Sequence, residues 1–352
     1  MKKLLALALS LVMVVSLAAC GAKEEQQAQA PAADAAEENK EQEQKTETPA
    51  EADTPKESSG ETKQIAVLIA DMTATYAAWL GQSFEKLAAE YPDYQVTVLD
   101  NKNDVATQVA NLENCVSKGY DYVIIQPIDT EALASSINKT IDAGLPVCTV
   151  NGTNAGMEKA SCVDCDPVQQ GSIPAEIALD KIPQNANVVV LLGPSGNVHS
   201  KGRREGFQKV LFDARPDITI LDEQIANWFK DEGMNLMEDW LQKYDKIDAV
   251  ISMNDAMALG CIEAAKAVGR DKDMTYYGVD GLADACLSIQ AGELTATCVQ
   301  NAYAQAEASM DIADRVLKGE IENEVNLVDG ELITSDNVAE WIQIHTENGQ
   351  IK

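Results

Sequence analysis

Histidine is almost missing from this chain: its 352 residues contain two, His199 and His345. No G-x-S-x-G turn occurs either, so the common base and the common exposed serine of a hydrolase are both lacking. The chain reads as a non-enzyme. Cationic residues are scarce as well, with 27 Lys and Arg against 57 Asp and Glu for a net charge of −30. Such a surface repels phosphates, which excludes nucleic acid, and it excludes a polyacidic partner on the same ground. Zinc lacks ligands, because the single C-x-x-C, Cys162 to Cys165, has only those two histidines to complete it. No cofactor or metal is expected. Beyond residues 4–16, no apolar run is long enough to approach a membrane span.

What is present starts with an export signal. Lys2 and Lys3 precede the apolar run 4–16, which ends in Leu17-Ala18-Ala19-Cys20-Gly21. Those five residues resemble a bacterial lipobox, whose cysteine becomes the lipid-modified first residue of the mature chain. The resemblance makes Cys20 the lipidation site and puts the protein on the outer face of the cell membrane, held by acyl chains. Residues 21–62 hold no aromatic, Val, Ile or Leu, and four Lys stand against twelve Asp and Glu. Nothing there can bury a core, so 21–63 is expected to be a disordered acidic linker, stretched by its own charge.

Seven cysteines follow Cys20, and an odd number makes a poor disulfide framework for an exported protein. Cys115, Cys148, Cys261 and Cys298 sit in apolar patterns, as small buried hydrophobes do. A redox pair would open a helix, whereas Cys162 and Cys165 close a strand-like run.

From residue 64 onward, strands and helices alternate. Strand patterns at 65–70, 95–99, 122–126 and 147–150 are separated by amphipathic helical patterns at 76–91, 104–118 and 130–143. A short strand at 160–163 and a helix after Asp166-Pro167 lead into a second block with the same rhythm, from 188 to 299. Helices stop at Gly119, Gly144, Gly269, Gly292 and Gly319, where a left-handed residue costs glycine least. Alternation of this kind builds parallel sheets with helices on both faces, here in two lobes.

The stretch 248–260 organises the second block. Its apolar run ends at Asn254-Asp255, and a helical pattern begins at once. Asp255 suits the N-cap of that helix. Asn254 is then left at the carboxyl end of a central strand, where open α/β sheets bind their ligands, or else it merely serves the turn.

Several separated motifs carry a family resemblance: Gln126-Pro127-Ile128-Asp129, Leu145-Pro146-Val147, Arg203-Arg204-Glu205-Gly206-Phe207, Asn254-Asp255-Ala256-Met257-Ala258-Leu259-Gly260, Gly278-Val279-Asp280-Gly281 and Leu317-Lys318-Gly319-Glu320. Over about residues 64–340 the chain resembles the bacterial periplasmic binding proteins of type 1, the ribose- and galactose-binding cluster. The resemblance implies two doubly wound (Rossmann-like) parallel-sheet lobes joined by three crossings. These fall near Asp166-Pro167, Gln300-Asn301 and Val328-Asp329, with lobes of 64–166 plus 301–328 and 167–300 plus 329–352. It also implies a small sugar-like ligand between the lobes, the permease of an ATP-driven importer as partner, and a monomer. A sensory module docking on a chemoreceptor or histidine kinase would read the same closed surface. A regulator of this architecture would begin with a helix-turn-helix, and a signal and tether stand there instead.

A sugar presents hydroxyls around an apolar ring face, so its site needs planar hydrogen-bonding groups and an aromatic plate. By motif position the second lobe offers Arg203, Trp228, Asn254 and Asp280, with Gln300 beside a crossing. The first lobe offers Asp71, Thr73 and Tyr76 after the first strand and Asn151 after the fourth. Asn151-Gly152 stands where ribose-type relatives have an Asp-Arg pair, so a bidentate hydroxyl clamp is missing. Asp71 either replaces part of it or caps the next helix. The calcium loop of galactose-type relatives is missing too, since 183–187 offers no spaced carboxylates. The loop 193–199 precedes a helix N-terminus but lacks the Gly-Lys-Ser/Thr ending of a phosphate loop, and reads as a tight turn.

Overall fold

The computed structural model describes residues 62–351. The targeting segment, Cys20 and nearly all of the expected linker lie outside the described residues. Strand β1 (Lys63–Ile69) shows how the first sheet is built. Ile65, Val67 and Ile69 point into one apolar cluster while Ala66 and Leu68 point into another, because successive side chains of a strand alternate. A strand apolar on both faces has to lie mid-sheet with helices on either side.

The first sheet continues through α1 (Thr75–Leu87), β2 (Tyr94–Asp100), α2 (Val105–Lys118), β3 (Tyr122–Ile125), α3 (Thr130–Asp142), β4 (Val147–Val150) and β5 (Ser161–Asp164). The second is built from α4 (Pro167–Lys181), β6 (Asn187–Leu192), α5 (Val198–Phe207), β7 (Thr219–Ile225), α6 (Lys230–Lys243), β8 (Ala249–Ser252), α7 (Asp255–Ala267), β9 (Thr275–Asp280), α8 (Ala283–Gln290) and β10 (Ala296–Val299). Last come α9 (Ala302–Leu317), β11 (Val325–Leu327), β12 (Glu331–Ile333) and α10 (Val338–Glu347).

Each sheet has six strands, ordered β11-β5-β4-β3-β1-β2 and β12-β10-β9-β8-β6-β7. All pairings are parallel except that of β10 with β12. The chain passes between the sheets three times: from β5 to β6, from β10 through α9 to β11, and from β11 to β12. Helix α9 packs on α1, and α10 packs on α8. The glycine stops hold throughout: Gly119, Gly144, Gly269, Gly292 and Gly319 all have φ between 71° and 92°.

Differences from the sequence reading have local causes. Strand β7 runs four residues past the apolar run, through Asp222-Glu223-Gln224, because it is an edge strand with an exposed side. Strand β12 has only three residues and no sequence pattern of its own; it is defined by pairing with β10. The N-cap of α7 is Asn254, not Asp255: the Asn254 side chain accepts from Met257 N. Asp255 is the first helical residue and is fully buried, accepting from Leu282 N at 3.0 Å and from Thr297 Oγ1 at 2.6 Å. Asp255 thereby satisfies the start of α8 from a neighbouring helix. Burial pushes its carboxyl up to about 6, against the pull of those hydrogen bonds. All seven cysteines among the described residues are buried free thiols.

Candidate functional site

The carboxyl ends of the parallel strands in both sheets converge on one cavity of about 130 Å3. Its walls begin just past β1 (Asp71), β3 (Gln126, Pro127) and β4 (Asn151) in the first lobe. In the second lobe they begin past β6 (Asn197, His199), β7 (Asn227, Trp228, Phe229), β8 (Asn254) and β10 (Gln300), and at the last residue of β9 (Asp280). Parallel strands end in exposed loops on one side, so two such sheets facing each other pool their loops in one crevice.

Arg203 is set by its helix. It lies four residues before Phe207 on α5, and both side chains turn inward, 3% and 0% exposed. Helix α5 reaches this depth because Gly171 and Gly206 let α4 come close: a Cβ on Gly171 would sit 2.0 Å from Arg203 O. The guanidinium donates through Nε to Gln170 Oε1 at 3.0 Å, and through Nη1 to Met253 O at 2.7 Å and Asp280 Oδ1 at 3.3 Å. Its Nη2 takes no protein partner among the described residues. Asp280 also accepts from Gln300 Nε2 at 3.4 Å, leaving Oδ2 without a donor. Burial pushes the Asp280 carboxyl up, with Arg203 pulling it down and Asp255 adding to the rise. Since Asp255 serves the start of α8, Asp280 is not needed as its cap.

Trp228 forms one wall. It is half-buried, with the Arg203 guanidinium carbon 5.5 Å from its ring centroid. The indole lies flat against Gly193, where a Cβ would stand 2.1 Å from the ring. Both Asn227 (φ 48°) and Trp228 (φ 74°) have left-handed backbone. So have Asn103, Asn151 and Asp280, all of them cavity residues. Backbone strain of this kind persists where surrounding structure over-determines it, and here it gathers around one cavity.

A chain of amides spans the cavity base and links the lobes. Ala70 N donates to Gln126 Oε1, Gln126 Nε2 to Asn151 Oδ1, and Asn151 Nδ2 to Gln300 Oε1 at 2.9 Å. Gln170 Nε2 joins the same Gln300 oxygen.

Eight of the nine residues expected from sequence line this cavity: Asp71, Tyr76, Asn151, Arg203, Trp228, Asn254, Asp280 and Gln300. Thr73 does not. It is exposed, and its hydroxyl donates to Asp71 Oδ1 at 2.7 Å, which holds the Asp71 turn. Among the eight, free capacity is uneven. Asn254 spends its oxygen on Met257 N and one amide hydrogen on Trp228 O, so one donor remains. Asn151 and Gln300 are largely occupied, by each other and by Gln126, Gln170 and Asp280. Tyr76 Oη accepts from Gln305 Nε2 at 2.9 Å, and burial pushes its phenol up.

Sequence reasoning missed Gln126, Asn197, Asn227 and Phe229 as lining residues, and His199 with them, its loop having read as a tight turn. Their shared signal is position one to seven residues past a strand end. His199 is 5% exposed, and its Nε2 lies 3.0 Å from Asp164 Oδ1 of the first lobe, too poorly aligned for a hydrogen bond.

Two lobes joined by three crossings, with a cavity between their strand ends that sets polar side chains against an indole, define a hinged solute-binding protein. Residues 65–321 match the periplasmic binding protein domain family, and the chain belongs to it, as a type 1 member among non-enzymatic transporter solute-binding proteins. It is 31% identical over 290 residues to a putative rhizopine-binding protein of Rhizobium meliloti, covering 81% of this chain and 94% of that one. To the xylitol-binding protein of Mycolicibacterium smegmatis it is 29% identical over 282 residues, 80% of each chain. Among solved structures, it is similar to an ABC transporter solute-binding protein of Bacillus halodurans with bound myo-inositol. There the TM-score is 0.75 at 30% identity, over 80% of this chain and 98% of the other.

Proposed function

We propose that this protein captures a monosaccharide or cyclic polyol between its lobes and delivers it to the permease of an ATP-driven importer. The observation that carries this reading is the cavity itself. It lies between both lobes, is walled by an indole, and is lined by groups with hydrogen-bonding capacity left over. Its 130 Å3 is near the size that accepts a single six-membered ring, since an engineered cavity of about 150 Å3 takes up benzene.

In this reading Arg203 Nη2 and Asn254 Nδ2 donate to ligand hydroxyls, Asp280 Oδ2 and Asp71 Oδ2 accept, and Trp228 covers an apolar ring face. Asn151 and Gln300 act one step back, holding the two lobes' walls in register. A ligand that touches both lobes binds the closed form better than the open one, and that difference drives closure. The polyol and sugar ligands named for similar proteins support this class of ligand. The lipobox supports acylation at Cys20 and a tether to the outer membrane face; labelling with radioactive palmitate that disappears in Cys20→Ala tests that part.

The test of the main reading is calorimetry of the purified protein with a panel of pentoses, hexoses, inositols and alditols. A binder present at a hundred times its Kd should also raise stability by about 2.7 kcal/mol. If no member gives heat, a change in Trp fluorescence or a melting shift, the reading fails.

A further inference from the structure

Asp71 is a carboxylate facing the cavity, with no cation beside it among the described residues. It is 9% exposed and lines the cavity. Its Oδ1 accepts from Thr73 N at 2.9 Å and Thr73 Oγ1 at 2.7 Å, while Oδ2 accepts nothing among the described residues. The cavity's other charges do not reach it. Arg203 is committed to Asp280, Gln170 and Met253 O. His199, charged or neutral, has Asp164 as its neighbour at 3.0 Å. Among the described residues no lysine lines the cavity. Asp71 and Asp280 are thus the carboxylates lining the cavity among the described residues, and its one guanidinium stands against Asp280, not Asp71.

A buried carboxylate without a counter-charge is costly to keep. The start of α1 at Thr75 has no side-chain cap, and its dipole offsets part of that cost. A neutral hydroxyl donating to Oδ2 offsets a little more. A cation offsets most, because it supplies both the hydrogen bond and the opposite charge.

We infer that the cleft prefers a cyclic polyol or sugar bearing an ammonium group over its neutral twin, with Asp71 Oδ2 as the counter-ion, and that it rejects ligands bearing a carboxylate or phosphate. This rests on the cavity being the ligand site, as proposed above, and narrows its chemistry. A charged hydrogen bond in place of a neutral one gives a preference of roughly tenfold. Asp280 is not the counter-ion, because Arg203 already stands against it.

The experiment is calorimetry at pH 7 with matched sets: myo-inositol and its positional monoamino derivatives, glucose and glucosamine, and glucuronate. One amino derivative binding about tenfold more tightly than its parent, with a ratio that falls to about one in Asp71→Asn, supports the inference. Circular dichroism and melting of that variant check that it is folded. Parents binding as tightly as every amino derivative, or glucuronate binding as tightly as glucose, overturns the inference and leaves the proposed function standing. An amino preference that survives in Asp71→Asn overturns the assignment to Asp71. Silence from the whole set, together with the wider sugar panel, overturns both readings.

Discussion

Replacing Gly193 by alanine tests the role of the indole without touching any group that would meet a ligand. The new Cβ would stand 2.1 Å from the Trp228 ring, and an ordinary contact begins at 3.4 Å, so the ring must retreat by about 1.3 Å. Because Gly193 stands behind the ring and outside the cavity lining, that shift carries the indole into the space a ligand ring would occupy and spoils the flat contact, since packing energy changes steeply with distance. Covering about 50 Å2 of ligand surface at about 25 cal/mol per Å2 contributes about 1.2 kcal/mol. An aromatic face adds roughly 0.5–1.5 kcal/mol beyond area. The expected loss is therefore about 2 kcal/mol, roughly a thirtyfold rise in Kd. Calorimetry on Gly193→Ala, Trp228→Ala and the double variant provides the assay. The two single losses should be similar and the double no worse than either, because both remove one contact. Additive losses, or an unchanged Kd in Gly193→Ala with the variant folded, would refute the claim that Gly193 seats a ligand-facing indole.

Gln300→Leu leaves Asn151 Nδ2 and Gln170 Nε2 without their shared acceptor, and should cost about 2 kcal/mol of stability. Denaturant unfolding measures this; a loss under 0.5 kcal/mol, by order of magnitude, would mean the amide chain is not structural. Asp255 should make stability pH-dependent. Its carboxyl titrates higher in the folded protein, about 6 against 3.8. A raised pKa means the contribution is full below the unfolded value and is lost as pH rises through the folded one. Asp255→Asn should therefore match the parent near pH 4, gain on it as pH rises from about 4 to about 6, and keep that gain above, by on the order of 3 kcal/mol at most. A difference between the two proteins that stays flat from pH 4 to 8 rules out this burial cost.

The amino-acid order alone carried the architecture. Alternating apolar periods of two and about 3.6 residues define which segments pair and which cover, and the glycine stops mark where each helix ends. Those are local properties, legible without a partner. Arg203, Trp228 and Asp280 were legible as candidates because each sits beside a strand end or on the inward face of a helix. What each polar atom does was not legible, because a hydrogen bond is a relation between residues far apart in sequence. Asn254 takes the capping role expected of Asp255, while Thr297 and Leu282 arrive beside Asp255 and claim its carboxylate. Asn151 and Gln300 looked like ligand groups until the fold set them against each other across 149 residues. Asp71 looked like half of a missing clamp, and only the packed site reveals that no cation came with it. Backbone periodicity is written along the chain; which charges and donors remain unspent is settled only when the two sheets turn their strand ends toward one another.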